Sequence, residues 1–306
     1  MIYRPYAERT PDTQYRDLLT RILDEGEEVP TAHGVPARRV IGHLLRFPLE
    51  NGFPIITERD LVSAPPGNGR PSPFYQALGE LCAFLNGAQT REELEQFGCY
   101  WWANWVTAER CEALGLPPGD LGPASYGAAF RRFPTAEGEP FDQLVHLVMQ
   151  IRTHPELRHH EVSPWIPQYL TRAFGRRPRA VVPPCHGWFH VHLNPATREL
   201  TLSHRQRSAD APVGLVFNLI HYAALTLMLA QVTGYRPRAL VYYLDDVHIY
   251  TTQLAHVERL LATPAGRFPT VELDPTVEDL FAFRPHHFTV RDYVPALPRM
   301  RIPTPL

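Results

Sequence analysis

Leu215-Val216-Phe217-Asn218-Leu219-Ile220-His221-Tyr222-Ala223-Ala224-Leu225-Thr226-Leu227-Met228-Leu229-Ala230-Gln231-Val232 is the longest apolar run of the chain. Asn218, His221 and Gln231 interrupt it, so it reads as a buried helix and not as a membrane span. Residues 219–232 are apolar nearly all round, which predicts a central helix, stopped by Gly234. Before the run, residues 188–193 and 200–206 look like paired strands around an Asn194-Pro195-Ala196 turn. After it, residues 239–244 form another strand pattern. An apolar helix between strands implies a mixed α/β (α+β) domain: a large mixed sheet, flanking helices and one long buried helix.

The same pattern extends outward. Tyr15, Leu18, Leu19, Ile22 and Leu23 follow helical spacing, and Asp24-Glu25-Gly26 ends that helix. Residues 40–47 read as a strand. Phe74, Ala77, Leu78, Leu81, Phe84 and Leu85 give a helix its apolar face, and Thr90 with Glu93 makes a capping-box pattern. Residues 141–151 read as an amphipathic helix, as do Leu254, Val257, Leu260 and Leu261. Residues 1–13 are expected to form an irregular arm, and 62–72 a loop, by their Pro, Gly and Ser content. With no internal repeat or linker, residues 14–306 read as one domain.

With 306 residues the chain is long enough for a sizeable core, and a formal net charge of −2 recruits neither nucleic acid nor an anionic membrane. All 30 basic residues other than His are Arg; the 32 prolines point to compositional bias as the plain cause. The cysteines, Cys82, Cys99, Cys111 and Cys185, contain no CxxC pair, which argues against a zinc ribbon. Isolated cysteines and an N-terminus without an apolar leader core suit a reducing cytoplasm.

Several residues can carry chemistry. Cys185 follows Pro183-Pro184 and precedes a strand, with His186 adjacent and Arg207 on the neighbouring strand. Prolines can hold a thiol in one direction, and a nearby cation lowers its pKa; an inert core cysteine is the plain alternative. Arg205-Gln206-Arg207-Ser208-Ala209-Asp210 gathers groups suited to a phosphate and to a ring N–H, or else marks a solvated strand end. Asn218 opens the apolar helix, as an amide for a heterocycle edge or as a helix cap. Glu80 borders an apolar face, where a carboxyl can serve as acid or base. Asp246-Val247-His248-Ile249-Tyr250 alternates polar groups after a strand and can face a sugar hydroxyl. No metal site is expected; His159-His160 and His286-His287 read as surface or structural.

In this order the motifs resemble those of the thymidylate synthase family. Pro183-Pro184-Cys185-His186, 206–210, Gly214-Leu215-Val216-Phe217-Asn218 and 246–250 carry the resemblance. Asn51-Gly52-Phe53-Pro54, Glu80-Leu81-Cys82-Ala83-Phe84-Leu85, Trp102-Ala103-Asn104, Tyr126-Gly127 and Val162-Ser163-Pro164-Trp165 extend it from about residue 14 to 306. The family implies that the Cys185 thiolate adds to C6 of a pyrimidine nucleotide, with Arg207 beside it. Carbon 5 then takes a one-carbon unit from methylenetetrahydrofolate. Glu80, His186, Asn218 and Tyr126 would serve the chemistry. Ser208, His248 and Tyr250 would hold the nucleotide. Trp102, Asp210, Gly214 and the C-terminal Leu306 would hold the folate. The resemblance further implies a homodimer in which Arg158 reaches the partner's phosphate.

The sequence departs from the family around the phosphate, sugar and folate. Thr31-Ala32-His33-Gly34 stands where the family has a phosphate arginine, and His159 where it has another. The phosphate grip is therefore expected to be weaker, or rebuilt from Arg38 or Arg39. Ala103, Val216 and Asp245 also depart, and Asp245 beside the sugar motif raises a ribonucleotide reading. The nucleophile's own motif is kept. That pattern favours a specialised pyrimidine nucleotide hydroxymethylase, in which water rather than hydride completes the transfer. Ordinary thymidylate synthesis and a catalytically silent nucleotide- or RNA-binding homologue are the alternatives. Asn218 leans toward uracil, although an amide that turns over can pair with cytosine.

Overall fold

A computed structural model of the chain describes residues 3–65, 67 and 69–305. The N-terminal part supplies α1 (Gln14–Glu25), β1 (Glu27–Val29), β2 (Ala37–Pro48) and α2 (Pro73–Leu85). Short helices follow: α3 (Arg91–Gln96), α4 (Ala108–Leu114), α5 (Tyr126–Arg131) and α6 (Gln143–Thr153). Then come β3 (Glu161–Val162), α7 (Pro167–Leu170), β4 (Trp188–Asn194) and β5 (Glu199–Asp210). The rest is α8 (Gly214–Thr233), β6 (Arg236–Tyr250), α9 (Leu254–Leu261), β7 (Thr270–Leu273) and β8 (Phe288–Arg291).

Six strands form one mixed sheet in the order β1-β2-β6-β5-β4-β3. Only the β5–β6 pair is parallel. Parallel neighbours need a crossover, and α8 provides it between them. All of α8 except Gly214, Phe217 and Gln231 is buried, because a helix without a polar face has to be covered on every side. It is long and apolar enough to cross a membrane, yet 89% of its most apolar window is buried within this fold. Each of its fully buried Leu and Met side chains contributes about 2 kcal/mol of transfer free energy. Gly234 ends it at φ +72°, returning its N–H to Ala230 and Gln231.

Helix α2 lies against α8 and is buried at every residue but Tyr75, so it is a core helix and not the half-buried one expected. Pro73 starts it and the Ser72 hydroxyl caps it by accepting from Tyr75 N–H. The Thr90–Glu93 capping box forms as expected. The first residues are tied down: Tyr3 and Arg9 are buried, and the Arg9 guanidinium donates to the Phe268 carbonyl and the Thr270 hydroxyl.

Two boundaries differ from expectation, and both matter for the site. Helix α8 starts at Gly214, so Asn218 lies inside its first turns and is no helix cap. Strand β6 runs to Tyr250, so Asp246, His248 and Tyr250 lie within the strand and not after it. Pairing with β2 on one side and β5 on the other carries the ladder through those polar positions.

Candidate active site

Cys185 lies just before β4, and its backbone is held from both sides. Its N–H donates to the Tyr126 hydroxyl at 2.8 Å, and its carbonyl accepts from Arg207 N–H at 2.9 Å. Gly187 follows at φ +108°, where a Cβ would lie 2.9 Å from Pro164 Cγ. The Arg207 guanidinium donates to the Pro183 and Pro184 carbonyls at 2.8 Å each and stands 3.5 Å from Cys185 Sγ. One side chain thus fixes the Pro-Pro turn and faces the thiol, which is half-buried.

The electrostatics correct part of the sequence reading. Burial pushes the Cys185 thiol up, and Arg207 and the Tyr126 bond pull against it without prevailing. His186, adjacent to the thiol, adds no charge beside it. Burial, then His221 and Arg207, hold its imidazole well below the ordinary range, so it is neutral. Tyr126 stacks on its ring at 4.3 Å and the Tyr222 hydroxyl meets its Nδ1 at 2.6 Å.

Glu80 comes from α2 and is 7% exposed. Trp102 Nε1–H donates to its Oε1 at 2.5 Å, and His221 Nε2 stands 3.2 Å from its Oε2. Asn218 is buried on α8, and its Oδ1 accepts from Gln206 Nε2 at 3.0 Å. Gln206 Nε2 also donates to the Ser208 carbonyl, while Tyr242 O–H donates to Gln206 Oε1. The Ser208 carbonyl can only accept, so it fixes the Gln206 amide, and that in turn fixes Asn218. Turning the Asn218 amide over would set two donors against each other.

The parallel register of β5 and β6 sets Ser208 beside Asp246 and Asp210 beside His248. Asp246 Oδ1 meets His248 Nδ1 at 2.8 Å, and the Tyr250 ring packs edge-on against His248. Burial raises the Tyr250 phenol to about 12. Asp210 accepts from Gln253 Nε2 at 3.0 Å, and burial raises its carboxyl to about 6. Gln253 also donates to the Pro303 carbonyl, which anchors the C-terminal segment beside Asp210. Gly214 opens α8 with its Cα side toward Asp210 and Asn218.

Other expected residues lie apart. Arg158 and His159 are exposed between α6 and β3. Arg38 and Arg39 are committed elsewhere: Arg38 donates to the Leu23 carbonyl, and Arg39 pairs with Glu27 and Asp246. Asp245 pairs with Arg205 of the neighbouring strand β5, so its charge is already met. Leu306 lies outside the described residues. No group of three metal-capable side chains is found among the described residues.

Sequence reasoning gave no role to Gln206, His221, Tyr222 or Gln253. Gln206 sat unweighed inside a quoted motif. Asn218, His221 and Tyr222 share helical i, i+3, i+4 spacing, a signal that three polar groups in an apolar run face one place.

A half-buried thiol stands beside a guanidinium, with a buried carboxyl, imidazole and amide near it, an arrangement suited to nucleophilic group transfer. A family model described as thymidylate synthase matches residues 13–304, and the chain belongs to that family. Its members are one-carbon transferases. They act on carbon 5 of a pyrimidine nucleotide, adding a methyl or hydroxymethyl group with methylenetetrahydrofolate as co-substrate.

Proposed function

We propose that the protein is a specialised pyrimidine nucleoside 5′-monophosphate hydroxymethylase that works through a covalent bond from Cys185 to C6. Arg207 stabilises the developing thiolate, whose proton passes to solvent water as the substrate enters. Tyr126 and the Pro183-Pro184 turn aim the sulfur. Asn218 reads the base edge with one fixed amide face, which supports a single base, with uracil favoured. Glu80 holds or takes the proton at C5, backed by the neutral imidazole of His186. Ser208 and Arg207 face the phosphate, and His248 and Tyr250 the sugar.

The co-substrate supplies a one-carbon unit at the oxidation level of formaldehyde. The donor set fits it: a pterin edge presents N–H donors, and Asp210 is a half-buried carboxyl that accepts. Trp102, Gly214 and the C-terminal segment anchored by Gln253 complete that side.

The observation that carries the specialised reading is the set of arginines around the site. The turn at Thr31–Gly34 brings none, and Arg38 and Arg39 are taken by Leu23, Glu27 and Asp246. Within one chain, Arg207 is the guanidinium left facing the thiol, and it also ties down the Pro183-Pro184 turn. The phosphate grip is therefore unlike one tuned for housekeeping thymidylate supply. A homodimer with Arg158 crossing to the partner's site supplies the missing cation; Ile41, Leu44 and Tyr243, exposed on β2 and β6, give it an apolar face.

Product mass is the test. The protein is incubated with methylenetetrahydrofolate and dUMP, UMP, dCMP or CMP in turn. A gain of one hydroxymethyl group on one substrate, without the absorbance rise of dihydrofolate, is expected. A methyl product with dihydrofolate would establish ordinary thymidylate synthesis instead, and an unchanged mass with all four would favour a silent homologue.

A further inference from the structure

Behind Cys185 lies a set of buried rings that the proposed chemistry leaves idle. His221 projects from α8 and is 1% exposed. Its Nε2 lies 3.2 Å from Glu80 Oε2. That contact is off the line of a good hydrogen bond, and the atom has no hydrogen-bond partner among the described residues. Trp102 holds the other Glu80 oxygen. A carboxylate buried with one N–H donor is under-satisfied, and a facing imidazole is the group that can complete it.

The surrounding titratable groups come from the segment after α3, the turn before β4, and from β5, α8 and β6. From the turn before β4, the His186 ring lies 5.7 Å from His221. From β5, His204 stacks on Tyr222 at 3.6 Å, and its Nε2 accepts from Gly187 N–H. Burial and the neighbouring imidazoles hold both histidines well below their ordinary range. Burial pushes up the Tyr222 phenol of α8, the Tyr242 phenol of β6 and the Cys99 thiol, which faces Glu80. Arg207 is the permanent charge on that side, next to His186. Glu80 and His221 are left as the two groups whose charges can complement each other.

We propose that His221 is a positioning residue for Glu80: its imidazole faces the carboxyl oxygen that Trp102 leaves free and keeps the carboxyl aimed at the reacting carbon. The inference rests on the reading of Glu80 as the group that manages protons at C5. The imidazole does not touch the nucleotide; it acts through Glu80. Without it, Glu80 keeps its burial and loses the group that faces its free oxygen, so the pH profile of the step that Glu80 serves should move.

The test is the pH profile of tritium release from the 5-tritiated nucleotide that the wild type turns over. In His221→Phe, the acid limb of kcat should move alkaline by about one pH unit or more, with kcat at neutral pH down at least about tenfold and KM within about threefold. His221→Gln keeps a donor without the charge; it should fold, recover part of kcat and still show the moved limb, and it decides the matter should His221→Phe fail to fold. In a Glu80→Gln background, read against that variant's own tritium-release rate, His221→Phe should cost less than about threefold. An unmoved acid limb in both variants, or an equal loss with and without Glu80, would overturn the role of His221. An inactive wild type would instead overturn the reading of the reaction itself, so the two failures are distinguishable.

Discussion

Two neighbours set the Cys185 sulfur in place through three contacts: Tyr126 at its N–H, Arg207 at its carbonyl and Arg207 again at 3.5 Å from Sγ. The resting thiol is nevertheless pushed up by burial, so activation is expected on substrate binding and not before. Gln206 is the second residue whose role is geometric. Gln206→Leu removes the donor that fixes Asn218, and the ratio of kcat/KM for uracil over cytosine nucleotides should fall by about tenfold. Competition between the two nucleotides reads it; an unchanged ratio would show that Asn218 needs no lock. Asp210 gives a pH-dependent prediction. Its carboxyl titrates at about 6, above the ordinary 3.8, so the folded state binds a proton that the unfolded state has released. Stability from this group is full below about pH 4 and is lost as pH rises through about 6. Asp210→Asn should therefore raise Tm by a few degrees at pH 7.5 and by less at pH 4, while folate binding weakens. Melting curves at the two pH values check the sign; equal shifts would contradict it.

At the scale of elements, β5, α8 and β6 act as one unit. The parallel pair needs α8 as its crossover, and α8 returns Asn218 and His221 to the site while β5 and β6 bring Arg207, Asp210 and His248. The turn into β4 is the second positioning device. Gly187→Ala would place a Cβ 2.9 Å from Pro164 and hold an L residue at φ +108°, so it should destabilise by about 1–3 kcal/mol. It should also shift Cys185 and lower kcat more than nucleotide affinity. Denaturant melts and single-turnover rates measure the two losses; wild-type values in both would contradict the strain argument. Much of this unit was legible in the sequence. The apolar run of α8, its stop at Gly234 and the β4–β5 turn follow from patterns that local chemistry enforces. The start of α8 and the far half of β6 were not legible, because polar residues there serve the site and break the apolar pattern. Asn218 looked like a cap for the same reason. The pairing of Arg39 with Glu27 and Asp246 was illegible because it joins three strand segments distant in sequence.

For the whole molecule, the proposed dimer makes a prediction that no single chain can satisfy. Cys185→Ala and Arg158→Ala should each be inactive or nearly so as homodimers. Mixed and re-equilibrated, they should recover about a quarter of wild-type activity, because half of the random dimers carry one site with both intact residues. No recovery despite subunit exchange would place Arg158 outside the partner's site. The central claim, that Cys185 opens one-carbon transfer at carbon 5 of a pyrimidine nucleotide, is tested most directly by tritium release. Wild type and Cys185→Ala are each incubated with methylenetetrahydrofolate and 5-tritiated dUMP, UMP, dCMP and CMP. The account predicts release from one of the four with wild type and a loss of at least about a thousandfold in Cys185→Ala. Release by Cys185→Ala at the wild-type rate, or none from any of the four with wild type, would contradict it.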